Sequence, residues 1–295
     1  MDSQSAVTRI VPHRDAIGDH VEILDYELAE SLVEEADKFP PGTCSCRHKM
    51  EHSGGRDCDH PIGTCTSLGR GAEFLIRHSM TREISKGEMR AVLARSKELG
   101  LVLSADNVQK NITFMCHCCG CCCIILQGIN LHGLTTSTLK SNFIASVDGE
   151  KCVGCKKCVS ACPVNAVDMI PAPSDKPKRK KMARVDESVC LGCGVCHLKC
   201  KTGAISLGER EQRILHPETT FRRVILQCLE RGTLQNQLFD NSESTTQEAM
   251  RYLVGAFLGL SPVKKALISR TLRSGFLSFM EAGVKMTGQG YMLEL

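Results

Sequence analysis

The chain has 295 residues, of which 19 are cysteine and none is tryptophan, and its formal net charge is +4. A chain of this length forms two or three domains and is too long for a small disulfide scaffold, so its cysteines indicate bound metal. The polar start shows no secretory signal, and the longest apolar stretch, 252–260, is about half of the ~20 residues that span a membrane. We therefore expect a cytoplasmic protein.

Helical spacing of apolar residues, capping signals and short apolar runs predict three helices and two strands in the N-terminal segment, residues 1–142. The helices are expected over 24–38, 67–78 and 85–100, and the strands over 101–103 and 112–115. The third helix is the best marked, because Ser85 and Glu88 form a capping box and Gly100 supplies a C-terminal stop. These elements predict a cysteine-rich domain of mixed α/β structure.

Four cysteines within this segment form the first predicted metal site. They are Cys44, Cys46, Cys58 and Cys65. A loop of this size can fold round one metal centre, and we predict a [4Fe–4S] cluster there. Zinc is the alternative, because His48, His52 and His60 add imidazole groups that zinc also accepts.

A dense run of cysteines follows the second predicted strand. It comprises Cys116, Cys118, Cys119, Cys121, Cys122 and Cys123. Because these thiols are too crowded for all of them to bind one cubane, we expect a subset to hold a further cluster, alone or together with the first group. The other thiols would be redox-active or packed as small apolar side chains. The pattern leaves the members of the subset open.

Residues 143–210 contain two copies of one sequence repeat, with matched positions offset by 38 residues. The spacing C-x2-C-x2-C-x3-C gives Cys152, Cys155, Cys158 and Cys162, and then Cys190, Cys193, Cys196 and Cys200. In this spacing three cysteines hold one [4Fe–4S] cluster and the fourth reaches the other cluster. We therefore assign Cys200 to the cluster of the first loop and Cys162 to that of the second. Each copy is predicted to be a strand, a cluster loop, a short helix and a return strand.

This duplicated region resembles the bacterial two-cluster ferredoxin family. Cys162-Pro163 matches the Cys-Pro ending of the family motif, whereas Cys200-Lys201 departs from it. The proline shapes a turn and is not a ligand, so the second cluster is still expected. The resemblance implies an α+β fold with pseudo-two-fold symmetry around two buried [4Fe–4S] clusters, and transfer of single electrons.

A basic insertion, 171–181, separates the two copies and combines three prolines with a Lys/Arg run. It is either a solvated loop or a docking patch for an acidic partner. Nucleic acid is not an expected partner, because no aromatic residue is interleaved with the charges. Each four-thiolate cluster also adds a charge of about −2, which brings the protein with two clusters near neutrality.

The C-terminal region, 211–295, is predicted to be helical, with helices over 220–231, 247–260 and 262–281. The lone Cys228 is expected to be a structural residue. The last helix is amphipathic and basic, which suits packing on the body of the protein, docking to a partner subunit, or contact with an anionic membrane surface.

These features favour an iron–sulfur electron-transfer subunit that relays single electrons between a donor and a larger oxidoreductase. No Rossmann glycine fingerprint or P-loop is present, so a flavin or nicotinamide would belong to a partner chain. The alternative is a reductase whose catalytic centre lies in 116–123 and receives electrons from the ferredoxin region. A cluster-based regulator is a third hypothesis. For the first, we expect 116–123 to lie close to the ferredoxin region, and oxygen sensitivity that suits an anaerobic host.

Overall fold

The structure is a computed structural model that describes residues 6–172, 180–241, 243–286, 288 and 290–294. Its strands are Thr8–Val11 (β1), Pro41–Gly42 (β2), Cys65–Ser67 (β3), Val102–Asp106 (β4), Phe114–Cys118 (β5), Phe143–Val147 (β6), Val167–Pro171 (β7), Lys181–Val185 (β8) and Ile205–Glu209 (β9). Its helices are Ala29–Glu35 (α1), Ser45–His52 (α2), Gly69–Arg77 (α3), Lys86–Leu99 (α4), Ile124–His132 (α5), Lys157–Ala161 (α6), Val195–Leu198 (α7), Thr220–Arg231 (α8), Leu234–Leu238 (α9), Thr245–Gly259 (α10), Ser261–Ile268 (α11) and Arg270–Met286 (α12). Short 3-10 turns are Arg14–Ala16, Asp25–Glu27 and Gly290–Glu294. The predicted α+β composition is confirmed.

The chain forms two compact units. The first consists of 1–106 and 112–215, and the second of 107–111 and 216–295. From the sequence we placed a domain boundary at residue 143. In the structure, the N-terminal segment and the ferredoxin-like region share one unit. They do so because Val102 and Leu126 lie in the same apolar core as Phe143. The duplicated region begins at residue 143, but the apolar core continues across this boundary.

The N-terminal part of the first unit is built on an antiparallel sheet with strand order β1-β4-β5-β3-β2. Every residue of β4 is buried. The helix α4 leads into this strand and has the capping box that we predicted, in which the Ser85 hydroxyl accepts from the Glu88 N–H and the Glu88 carboxylate accepts from the Ser85 N–H. Gly100 ends the helix in the left-handed region, at φ 69°.

Removal of this cap tests how much the capping box stabilises the first unit. We expect Ser85→Ala to lower the free energy of unfolding by about 1 kcal/mol, because the N–H of Glu88 loses its acceptor. Thermal unfolding measures the change. The matched control is Ser274→Ala, at an exposed position inside α12, which should not lower the stability. Equal losses in both variants would show that the cap is not the cause.

The ferredoxin-like region has the element order predicted for each copy. The first copy runs β6, loop, α6, β7 and the second runs β8, loop, α7, β9. The strands pair between copies, β6 with β9 and β7 with β8, both antiparallel. Each cluster loop therefore lies between two strands that are both paired with strands of the other copy.

Several predicted elements differ in extent from those of the structure. The helix expected over 24–38 is a 3-10 turn followed by α1, because the buried Glu27 carboxylate accepts from the Leu24 N–H and from the Asn142 amide, which fixes a turn there. The helices α2 and α5 were not predicted. The expected strands over 101–103 and 112–115 lie slightly further along the chain, as β4 and β5.

The second unit is helical, and the prediction of a helix over 220–231 is confirmed by α8. The helix expected over 262–281 is divided into α11 and α12, because Ser269 has an extended backbone, with φ −65° and ψ 136°.

Most of the basic insertion, 173–179, lies outside the described residues. Among the described helices, none combines the length and apolar character needed to cross a bilayer.

Candidate metal centres

The first of two cysteine-lined pockets in the ferredoxin-like region is formed by both copies of the repeat. Its cysteines are Cys152, Cys155, Cys158 and Cys200. The pocket encloses about 340 Å³ of empty space, counting the part open to solvent. Gly154 lies in its loop at φ +70°, and a Cβ atom there would be 2.4 Å from the carbonyl oxygen of Lys181. Only glycine fits this turn.

The second pocket has the complementary composition. Its cysteines are Cys162, Cys190, Cys193 and Cys196. It holds about 320 Å³ of empty space, and the backbone N–H of Ala166 donates to Cys162 Sγ at 3.2 Å. The structure thus brings Cys200 to the first loop and Cys162 to the second, which is the exchange of fourth cysteines that the spacing predicts.

The two pockets differ in their exposure. In the first loop Cys155 is exposed, and the neighbouring Val153 is 61% exposed. In the second loop every residue of 190–196 is buried. Burial raises the pKa of Cys196 to about 12 and also raises that of Cys193, so these thiols are protonated near neutral pH without metal. Metal binding at the second pocket would therefore release protons.

Six of the ten N-terminal cysteines form a closed ring, here called the six-thiol ring. In order of contact around the ring they are Cys44, Cys46, Cys123, Cys118, Cys116 and Cys65. Each thiol lies close enough to the next to shift its pKa, and Cys65 closes the ring on Cys44. The ring therefore draws on three separate segments of the chain.

The register of the sheet explains why these segments meet. Thr66 of β3 is paired with Met115 of β5, so the next antiparallel pair is Cys65 and Cys116. Gly42 of β2 is paired with Cys65, and the chain reaches Cys44 two residues later. Side chains alternate along a strand, which places Cys116 and Cys118 on the same face of β5.

Backbone N–H groups at two helix starts lie near the ring. After the neighbouring thiols, the N–H of Arg47 in α2 helps to lower the pKa of Cys44, and those of Ile125 and Leu126 in α5 help to lower the pKa of Cys123. The N-terminus of a helix carries a partial positive charge, so both contacts favour thiolates. Hydrogen bonds of this type also tune the potentials of iron–sulfur centres.

Neighbouring thiols of the ring shift each other's pKa in opposite directions. Hydrogen bonds from neighbouring thiols lower the pKa of Cys44 to about 2, of Cys123 to about 3 and of Cys116 to about 5. The donating thiols, which are Cys46, Cys65 and Cys118, have pKa values raised above the ordinary range by the same contacts. The ring therefore gathers six thiol sulfur atoms in one place, and thiolate sulfur is the donor type that iron–sulfur centres require.

The remaining four N-terminal cysteines form a second, more compact group, here called the four-thiol group. Its members are Cys58, Cys119, Cys121 and Cys122, whose sulfur atoms all lie within 4.8 Å of one another. Cys119 and Cys122 are buried, and the other two are half-buried. The group packs with Leu101, Leu99 and Met50 in a small apolar cluster.

This division corrects the grouping expected from the sequence. We expected Cys58 to share one centre with Cys44, Cys46 and Cys65, but its sulfur lies in the four-thiol group. The four-thiol group contains none of the histidines that we considered for zinc. His48 and His52 are exposed and hydrogen-bond each other at 3.0 Å. His60 is not in the four-thiol group, and only its backbone N–H acts on the pKa of Cys58.

Arg47 is fully buried and lies near members of both the ring and the four-thiol group. Its guanidinium donates to the carbonyl oxygens of Pro61 at 2.8 Å and of His117 at 2.5 Å, and to the Thr64 hydroxyl at 2.7 Å. Burial opposes its charge, but a hydrogen bond with Cys119 and the nearby thiolates outweigh burial and raise the pKa of Arg47. Sequence reasoning did not single out Arg47, whose place beside Cys46 was the available signal.

The cysteine run contacts the ferredoxin-like region directly. A Cβ atom on Gly120 would be 2.6 Å from the carbonyl oxygen of Pro163, so the two backbones touch at this point. The Asn130 amide also donates to the Pro163 carbonyl oxygen, at 2.9 Å. Because Cys162 precedes Pro163 and lines the second pocket, the N-terminal cysteine groups adjoin that pocket.

Comparison with known proteins agrees with the donor chemistry of the two pockets. A family model described as a 4Fe-4S dicluster domain matches residues 151–204. The chain thus contains an iron–sulfur region of ferredoxin type. No curated protein and no solved structure matches the chain.

Proposed function

We propose that this chain is an iron–sulfur electron-transfer protein that relays single electrons between a donor and a larger oxidoreductase. Each pocket of the ferredoxin-like region would hold one [4Fe–4S] cluster, and the six-thiol ring would hold a third iron–sulfur centre. Such centres supply one chemical capability, the reversible uptake of one electron. The chain supplies thiolates, N–H donors and exclusion of water.

The observation that supports a relay most strongly is the order in which the sites adjoin one another. The first pocket is open beside Cys155, and the second is buried. The second pocket adjoins the N-terminal cysteines through the contact of Pro163 with Gly120. A surface site, an inner site and a third site thus follow one another, as single-electron transfer through protein requires.

The surface of the first pocket also has the character of a docking site. Lys156 and Lys157 line the pocket and are exposed, next to the exposed apolar side chain of Val153. An acidic partner surface complements such a basic rim and accelerates encounter. In the second unit, Tyr252, Phe257 and Phe279 are large exposed apolar side chains of the kind that a partner subunit covers.

The test compares the open pocket with the buried one in anaerobically purified protein. Cys155→Ala and Cys193→Ala should each lose about four iron and four acid-labile sulfide, because each removes a ligand from one cluster. Cys228→Ala, outside both pockets, is the control and should retain both.

Reduction kinetics then test the relay itself. With reduced methyl viologen as the donor, the remaining centres of Cys155→Ala should be reduced more slowly than those of the wild type, since the open site is lost. Unchanged kinetics, or zinc in place of iron and sulfide, would contradict the proposal. Turnover of a disulfide substrate by the purified chain with only an artificial reductant would favour the reductase alternative instead.

A further inference from the structure

The four-thiol group stands out from the other cysteine sites in its dimensions. Cys58 Sγ lies 3.9 Å from Cys119 Sγ and 3.7 Å from Cys122 Sγ, and Cys121 Sγ lies 3.8 Å from Cys122 Sγ. Among the described residues, it is the only group of three or more potential ligands whose donor atoms all lie within 4.8 Å. The cysteines of the two ferredoxin pockets surround open space instead.

These distances match a single tetrahedral ion. Four sulfur atoms at ~2.3 Å from a central ion lie about 3.8 Å from one another. In a cubane each thiolate binds a different iron, so the four sulfur atoms stand outside a four-iron core and must be further apart. The four-thiol group is therefore too compact for a cubane and has the right size for one ion.

We propose that Cys58, Cys119, Cys121 and Cys122 bind one tetrahedrally coordinated metal ion, zinc or iron, and not an iron–sulfur cluster. All four donors come from the protein, which is the composition of a structural site and leaves no open position for catalysis. The ion would fasten the loop that contains Cys58 to the turn 119–122. No assignment of the ferredoxin pockets or of the six-thiol ring depends on it.

The surroundings fit a centre with four thiolates. The buried Arg47 guanidinium lies near Cys119 and would offset part of the negative charge of such a centre. The backbone N–H of His60 lies near Cys58 and favours its thiolate form, which a metal would bind. Arg56 holds the same loop, because its guanidinium donates to the carbonyl oxygens of Cys58 at 2.8 Å and His60 at 2.6 Å.

The experiment measures zinc, iron and acid-labile sulfide per chain in anaerobically purified full-length protein. Cys58→Ala and Cys122→Ala should each lose about one metal ion and no sulfide, since a mononuclear site contains none. Loss of zinc identifies a zinc site, and loss of iron without sulfide identifies a mononuclear iron site. Cys228→Ala should keep the wild-type content. Loss of iron together with sulfide, or no loss of metal, overturns the proposal.

Metal and sulfide analysis of the wild-type protein tests the same proposal without any substitution, in case the variants do not fold. We expect about one zinc per chain, or about one iron in excess of sulfide. Equal iron and sulfide with no zinc overturns the proposal. Sulfide content and the EPR signals of the ferredoxin pockets test the proposed function separately, so either proposal can fail while the other stands.

Discussion

Replacing Arg47 with glutamine is expected to destabilise the first unit by about 3–5 kcal/mol, because a buried charge that faces thiolates is removed and its partners remain. The carbonyl oxygens of Pro61 and His117 would also lose a donor in a buried place. We expect the N-terminal centres to be lost, leaving about eight iron per chain in the two ferredoxin pockets. Thermal unfolding and metal analysis measure the two effects.

Two further variants separate charge from geometry at this position. Arg47→Lys keeps the charge but lacks the planar fork that reaches three acceptors at once, so its loss should be intermediate. Arg82→Gln removes an exposed guanidinium that pairs with Glu88, and should cost no more than about 0.5 kcal/mol. A folded Arg47→Gln protein with wild-type metal content would show that this guanidinium is not needed by either thiol group.

Substituting alanine for Gly192 is expected to empty the second pocket of the ferredoxin-like region. A Cβ atom at this position would lie 2.1 Å from the carbonyl oxygen of Phe143 and 2.3 Å from the Ser141 hydroxyl. The backbone of β6 cannot give way by that distance without breaking its ladder with β9, so the loop between Cys190 and Cys193 must move. We expect a loss of about four iron and four sulfide and of one EPR signal on reduction.

Gly203 provides the matched control, because its φ of +63° is close to the +70° of Gly192 but nothing lies within 4 Å of its Cβ position. Gly203→Ala should therefore cost about 1 kcal/mol of backbone strain and retain all clusters. If Gly192→Ala kept its full iron and sulfide, the close approach of the loop to β6 would not be essential for the second pocket.

The parts of this protein that could be predicted from sequence are those whose information is local or repeated. The capping box of α4 lies within four residues, and the duplicated cysteine spacing contains the exchange of Cys162 and Cys200 that the pockets show. Both follow from short chain geometry and need no knowledge of tertiary contacts.

The division of the N-terminal cysteines could not be predicted in this way. The six-thiol ring depends on the register of β2, β3 and β5, and register is fixed by pairing across many residues. Cys58 lies between Cys46 and Cys65 in sequence, yet its thiol joins a different group. The buried Arg47 compensates the charge of two groups that only the fold brings together, so no sequence motif marks it.

One peptide bond, between Cys118 and Cys119, connects a member of the six-thiol ring to a member of the four-thiol group. Whichever centre is filled first during biosynthesis immobilises the chain on one side of that bond. The second centre then forms with a smaller loss of conformational entropy than it would alone. If both groups bind metal as proposed, filling one centre would therefore favour filling the other.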